Sequence, residues 1–157
     1  MTVQTFTYTY FVHAHAPQIY EHLAEPTNYA GLSPLVGKVS DVEWGMNEQH
    51  QSLVAYKTVE MFHILGFITY PNPLNVVMTL TAPNQQIISD VQTGLGVHVH
   101  FTFDLHPQAD GTNITETISA TAPTLLMGFV ISQAKSVQKH REKILKQRLE
   151  HPNQKGG

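Results

Sequence analysis

The stretch Val97-His98-Val99-His100-Phe101-Thr102-Phe103-Asp104-Leu105 decides the architecture. Val97, Val99, Phe101, Phe103 and Leu105 are apolar, while His98, His100, Thr102 and Asp104 between them are polar. Side chains of a strand point alternately to its two faces, so this segment reads as a strand with one face on a core and the other toward solvent. Asp110-Gly111 then marks a turn, and the chain reverses into residues 112–121, where Ile114, Glu116 and Ile118 alternate with Thr115, Thr117 and Ser119. A link this short joins antiparallel neighbours, because a parallel crossover needs about a dozen residues or more.

Upstream, the same reading repeats. Residues 5–13 place Phe6, Tyr8, Tyr10 and Val12 on one face. Residues 36–44 end at a turn over Gly45, Met46 and Asn47, and residues 51–62 follow as a β-rich stretch. Residues 74–82 are bounded by Pro73 and by Pro83-Asn84, and residues 86–93 come next. After the first strand, Pro17 opens a short helix reaching about Leu23, and Pro26 opens a second that ends around Gly31 and Pro34.

Downstream of Pro123 the period changes. Val130, Ala134, Val137, Arg141, Ile144 and Leu145 fall on one helical stripe, and one long helix can run to about Leu149, before Pro152. Its first turns, residues 125–131, are apolar all round, whereas Lys135 onward is amphipathic. A helix of this kind is expected to be buried on all sides at its start, solvated at its end, and laid across a concave sheet. Residues 1–150 read as one domain and residues 151–157 as a disordered tail.

Composition sets the outer bounds. The 157 residues are 41% hydrophobic and only 13% charged, which excludes intrinsic disorder. With no cysteine there can be no disulfide framework and no thiolate nucleophile. The start lacks the basic n-region and apolar run of a signal peptide. Residues 61–89 carry no charge, but Pro71-Asn72-Pro73 interrupts them short of the roughly 20 apolar residues a membrane span needs. A cytoplasmic protein without integral membrane association is expected. Seven of the nine Lys and Arg residues follow Ala134, yet the chain is acidic overall (net charge −3) and no aromatic residues interleave with those bases. A solvated helix face complementing an acidic body is therefore preferred to a nucleic-acid partner. Low charge and the apolar helix start are compatible with a homodimer as well as with a monomer.

The order of elements resembles the helix-grip fold, and local residues resemble the START-like (SRPBCC) superfamily. Val12-His13-Ala14-His15-Ala16-Pro17, running into Gln18 to Leu23, is similar to that superfamily's first strand and first short helix. Leu23-Ala24-Glu25-Pro26-Thr27-Asn28-Tyr29 resembles its link to the second, Phe101 to Leu105 with Gly111-Thr112 its sixth and seventh strands, and Ala122-Pro123-Thr124-Leu125-Leu126 its entry to the last helix. The most similar group is the polyketide cyclase/dehydrase and lipid-transport proteins. The resemblance implies an α+β fold in which a curved seven-stranded antiparallel sheet wraps round a long C-terminal helix, two short helices follow the first strand, and an apolar cavity lies between sheet and helix. It implies a hydrophobic small molecule in that cavity, such as a lipid, an isoprenoid or an aromatic polyketide. It carries no shared catalytic motif.

Strand parity and the helical stripe nominate the wall: Val99, Phe101 and Phe103 from the strand, and Leu126, Met127, Val130 and Ile131 from the helix. Tyr8, Tyr10, Tyr29, Leu32, Tyr56, Phe62 and Phe67 are further candidates, and for each the plain alternative is an ordinary core position. His13/His15 and His98/His100 are His-x-His pairs with both rings on one strand face. Because His98 and His100 lie opposite the apolar face and the two strands are not neighbours in the resembling fold, no metal is assigned, and no cofactor either. Glu116 stands between two isoleucines; if that face is inward, burial raises its carboxyl pKa and makes it a candidate acid or base beside a Tyr or His. The alternative is a salt bridge to a lysine of the long helix. Glu60, near Phe62 and His63, is a second candidate. An acid–base set in the cavity would make the protein a polyketide cyclase or dehydratase; without one it is a binding protein.

Overall fold

The computed structural model describes residues 1–34, 36–64 and 68–150. Strand β1 (Thr2–Val12) leads to helix α1 (Ala16–Ala24) and a single 3-10 turn, Pro26–Tyr29. Strands β2 (Val36–Met46), β3 (Ser52–Ile64), β4 (Ile68–Ala82), β5 (Gln86–Thr93), β6 (His98–Gln108) and β7 (Gly111–Ala122) follow, and helix α2 (Thr124–Leu149) completes the described chain. The seven strands form one antiparallel sheet in the order β1-β7-β6-β5-β4-β3-β2. Strands β2 to β7 are successive neighbours, and β1 returns to pair with β7 from Thr2↔Ala122 to Val12↔Thr112 without a register break. This is the helix-grip fold.

The parity read from residues 97–105 holds. Val97, Val99, Phe103 and Leu105 are buried, and so are Ile114, Glu116 and Ile118 in β7. Fully burying each of these isoleucines contributes roughly 1.5–3 kcal/mol. On the opposite face, Asp90 lies 2.7 Å from Nδ1 of His100 and 3.3 Å from Nε2 of His98.

The second short helix is shorter than expected: only the 3-10 turn forms. Pro26 forces Glu25 into an extended conformation that stops α1. The Glu25 carboxylate then accepts from Thr27 Oγ1 (2.9 Å), and Tyr29 Oη donates back to Leu23 O (2.7 Å), so the turn is closed onto α1 within four residues. Strand β4 is longer than expected, beginning at Ile68 rather than after Pro73. Prolines are tolerated where a strand needs no donor on one side. Before Leu74, β4 pairs only with β3, because β5 ends opposite that residue.

The largest correction concerns α2. Its apolar start is largely exposed, with Leu125 99% and Phe129 41% exposed, and four of its five buried residues, Gln138, Arg141, Leu145 and Leu149, lie in its charged half. Met127 alone is buried in these first turns, against Ile118 and Ala120, while Leu126 and Phe129 line open space. The end is clamped by its own cations: Arg148 donates to Asn28 O (2.8 Å) and Ala30 O (3.0 Å) around the 3-10 turn, and Arg141 reaches into the sheet. Among the described residues, no helix is long and apolar enough to cross a membrane. The tail, residues 151–157, lies outside the described residues.

Candidate functional site

The space under α2 is a cavity of about 740 Å³ between the helix and the inner face of β3 to β6. Its far wall is carbon, from Val97 just before β6 and from Val99, Phe101 and Phe103 within it. Val130, Ala134, Val137 and Arg141, four successive members of the helical stripe, form its roof, with Leu126 and Phe129 at the start of α2. Leu95 and Phe129 both line the cavity and remain 41% exposed, which places its mouth between the β5–β6 turn and the first turns of α2.

Of the residues nominated from sequence, Tyr29, Tyr56, Val99, Phe101, Phe103, Leu126 and Val130 come together on this wall. The rings of Tyr29 and Tyr56 pack at 6.2 Å. Five others stand elsewhere. Leu32 and Tyr10 are buried in the main core, Met127 is buried in a second cluster with Ile118 and Ala120, and Ile131 packs on the edge of that cluster. Tyr8 lies beside Tyr10 and donates to Glu142 of α2. Strand parity selects an inward face but does not say whether an inward side chain meets a cavity or another side chain. The side chain of Phe62 and all of Phe67 lie outside the described residues.

Glu116 is inward and fully buried, and its partner is an arginine rather than a lysine. Arg141 Nη1 donates to Oε1, and Tyr10 Oη donates to Oε2 at 2.6 Å. Burial pushes the Glu116 carboxyl above its ordinary range, while Arg141 and the Tyr10 hydroxyl pull it back down. The Arg141 guanidinium also lies 5.1 Å from the ring centre of Phe103 and 5.7 Å from that of Phe101. Arg141 thus stands between Glu116 and the cavity: it lines the space, and Glu116 does not. Among the described residues its Nε has no hydrogen-bond partner.

Glu60 reaches the cavity directly. It sits in the β3 wall, half-buried, and burial raises its carboxyl pKa to about 7 against a smaller opposing pull from Arg141. Directly across the strand pair stands Asn72, also in the wall. Sequence reading missed Asn72 as a site residue, although Pro71-Asn72-Pro73 was a visible signal. It also missed Arg141, whose position on an apolar helical stripe is the mark of a cation turned inward.

Neither a scan against protein-family models nor a search of curated proteins finds a match. Solved structures do match. The Zhui aromatase/cyclase from Streptomyces sp. R1128 superposes with a TM-score of 0.77 at 15% identity, over 96% of this chain and 95% of that one. A START superfamily protein from Mycobacterium smegmatis gives 0.69 at 17% identity, over 94% and 97%. The protein Ara h 8.0201 gives 0.64 at 12% identity, over 92% and 98%. The chain therefore has the helix-grip fold of the START-like (SRPBCC) proteins, and nearly all of it is that fold.

Proposed function

We propose that the protein binds a hydrophobic small molecule, a lipid, isoprenoid or aromatic polyketide-like compound, in the cavity between sheet and α2. One observation carries this reading: about 740 Å³ of space walled almost wholly by carbon, with an apolar mouth at Leu95 and Phe129. That volume lies within the range of about 300–1,000 Å³ typical of small-molecule sites. Burial of apolar ligand surface, at roughly 25 cal/mol per Å², supplies the affinity. Native mass spectrometry of freshly purified protein, followed by organic extraction, tests it. A defined excess mass that leaves on denaturation supports the reading; failure to take up any apolar probe, such as diphenylhexatriene, sinks it.

A second reading, a cyclase or dehydratase, is favoured by one acid–base group in the cavity wall, Glu60, and a second, Glu116, behind Arg141. Glu116 is inward and bonded to Tyr10, and Glu60 has a carboxyl balanced near neutrality in the wall itself. A group titrating near the working pH can both take and return a proton. Of the two, Glu60 is the better placed, because both oxygens of Glu116 are occupied. The test is deuterium exchange at the α-carbon of 1-phenyl-1,3-butanedione followed by NMR. Catalysed exchange lost in Glu60→Gln supports an enzyme, and exchange no faster than in buffer removes this reading.

A further inference from the structure

We infer that Asn72, with Glu60 beside it, is the recognition point of the cavity, selecting a hydrophobic ligand whose buried end presents a hydrogen-bond donor and an acceptor side by side, as a lactam, a carboxamide or an enolised dicarbonyl does. This deepens the binding reading and rests on it.

Asn72 is 1% exposed and lines the cavity, and among the described residues neither its Nδ2 nor its Oδ1 has a hydrogen-bond partner. Buried amides without partners are rare, because leaving the group unsatisfied costs its full desolvation. Leu74 and Val76, on the same face of β4, carry no polar atom, and the Thr58 hydroxyl is committed to Lys38 O at 2.8 Å. A leucine at position 72 would continue the row Leu74, Val76, Met78 with carbon.

The amide is also held ready. Pro71 and Pro73 face outward on either side, and a residue before proline is confined to extended backbone, so Asn72 points inward from a stiff mount. Glu60 is its direct cross-strand partner, and such pairs have Cβ atoms about 4.5–5.5 Å apart. A carboxyl titrating near neutrality donates or accepts according to its protonation, so the pair offers a ligand both kinds of bond from one spot. The wall at β6 offers Val99 and Phe101, with Val97 just before the strand. A ligand is thereby oriented with its polar end at β3 and β4 and its apolar body under α2.

The test uses two matched probes, 2-quinolone, which has an N–H beside its carbonyl, and 1-methyl-2-quinolone, which has lost that donor. Calorimetry at pH 7 should show the wild type preferring 2-quinolone by about tenfold, from one hydrogen bond to an otherwise unpaired amide. Asn72→Leu should bind both equally and melt about 3 °C or more above wild type, because the orphaned amide is gone. Asn72→Ser should lose the preference too. Equal binding by the wild type, binding of diphenylhexatriene but neither quinolone, a preference retained in Asn72→Leu, or a lower melting temperature for that variant overturns the inference. If diphenylhexatriene does not bind either, the cavity itself is not a ligand site and both readings fall together.

Discussion

Arg141, two-thirds of the way along α2, donates to Glu116 in the middle of β7, and the side chains are only 6% and 1% exposed. This pair joins the last helix to the sheet behind the cavity, and it lets a cation form part of an apolar roof. Desolvating both charges is costly, and the ion pair, the Tyr10 hydroxyl and two aromatic faces offset that cost.

Breaking the pair from one side should therefore be far worse than removing it whole. Arg141→Met leaves a buried carboxylate and should lose about 3–5 kcal/mol in urea unfolding. Arg141→Met combined with Glu116→Leu should recover most of that loss. A single substitution costing under about 1 kcal/mol would show that the pair is not dry.

Filling the cavity should abolish binding without harming the fold. Ala134→Trp projects an indole from α2 into the space. Diphenylhexatriene affinity should fall at least tenfold, with the melting temperature unchanged or higher. Binding at wild-type strength would mean that the probe sits elsewhere.

Glu60 should give stability a specific pH dependence. Its carboxyl titrates near 7 in the folded chain and near 4.5 when unfolded. Between these values the folded state holds more protons, so stability falls as pH rises from about 4.5 through 7. Urea midpoints across that range should show this decline, and Glu60→Gln should remove its share. An unchanged slope in the variant would mean that the carboxyl is solvated.

The clamp at the end of α2 makes a local prediction. Gly31 has φ +88°, and a Cβ there would lie 3.0 Å from Arg148 Nη2. Gly31→Ala should cost roughly 1–2 kcal/mol from the backbone alone, with displacement of the Arg148 side chain adding to it. Arg148→Ala should destabilise by a similar amount, and the double variant by less than the sum. Additive losses would show that the two do not touch.

Much of the fold was legible because its signals are local. The alternation of Val97 to Leu105 and the turn at Asp110-Gly111 allow only an antiparallel hairpin. Of the four helix residues nominated for the cavity wall, Leu126 and Val130 line it, while Met127 and Ile131 pack in the second cluster. Two local signals misled. Pro73 read as a strand boundary because nothing in its neighbours reveals that β5 stops opposite Leu74. The apolar residues 125–131 read as buried on all sides because hydrophobicity reports what a side chain prefers, yet only Met127 of them is buried, since here the last helix overhangs an opening.

By itself the sequence determined the number and order of the strands, the first and last helices and the apolar faces of the strands, since these follow from backbone geometry and side-chain period. Only the tertiary structure decided which inward residues meet carbon and which meet space. Tyr10 and Tyr29 look alike in sequence, yet one bonds Glu116 in the core and the other lines the cavity. Glu60 and Asn72 are twelve positions apart and become opposite partners only through the β3–β4 register. The physical reason is that burial, desolvation and unmet hydrogen bonds are properties of the surroundings that distant segments create together.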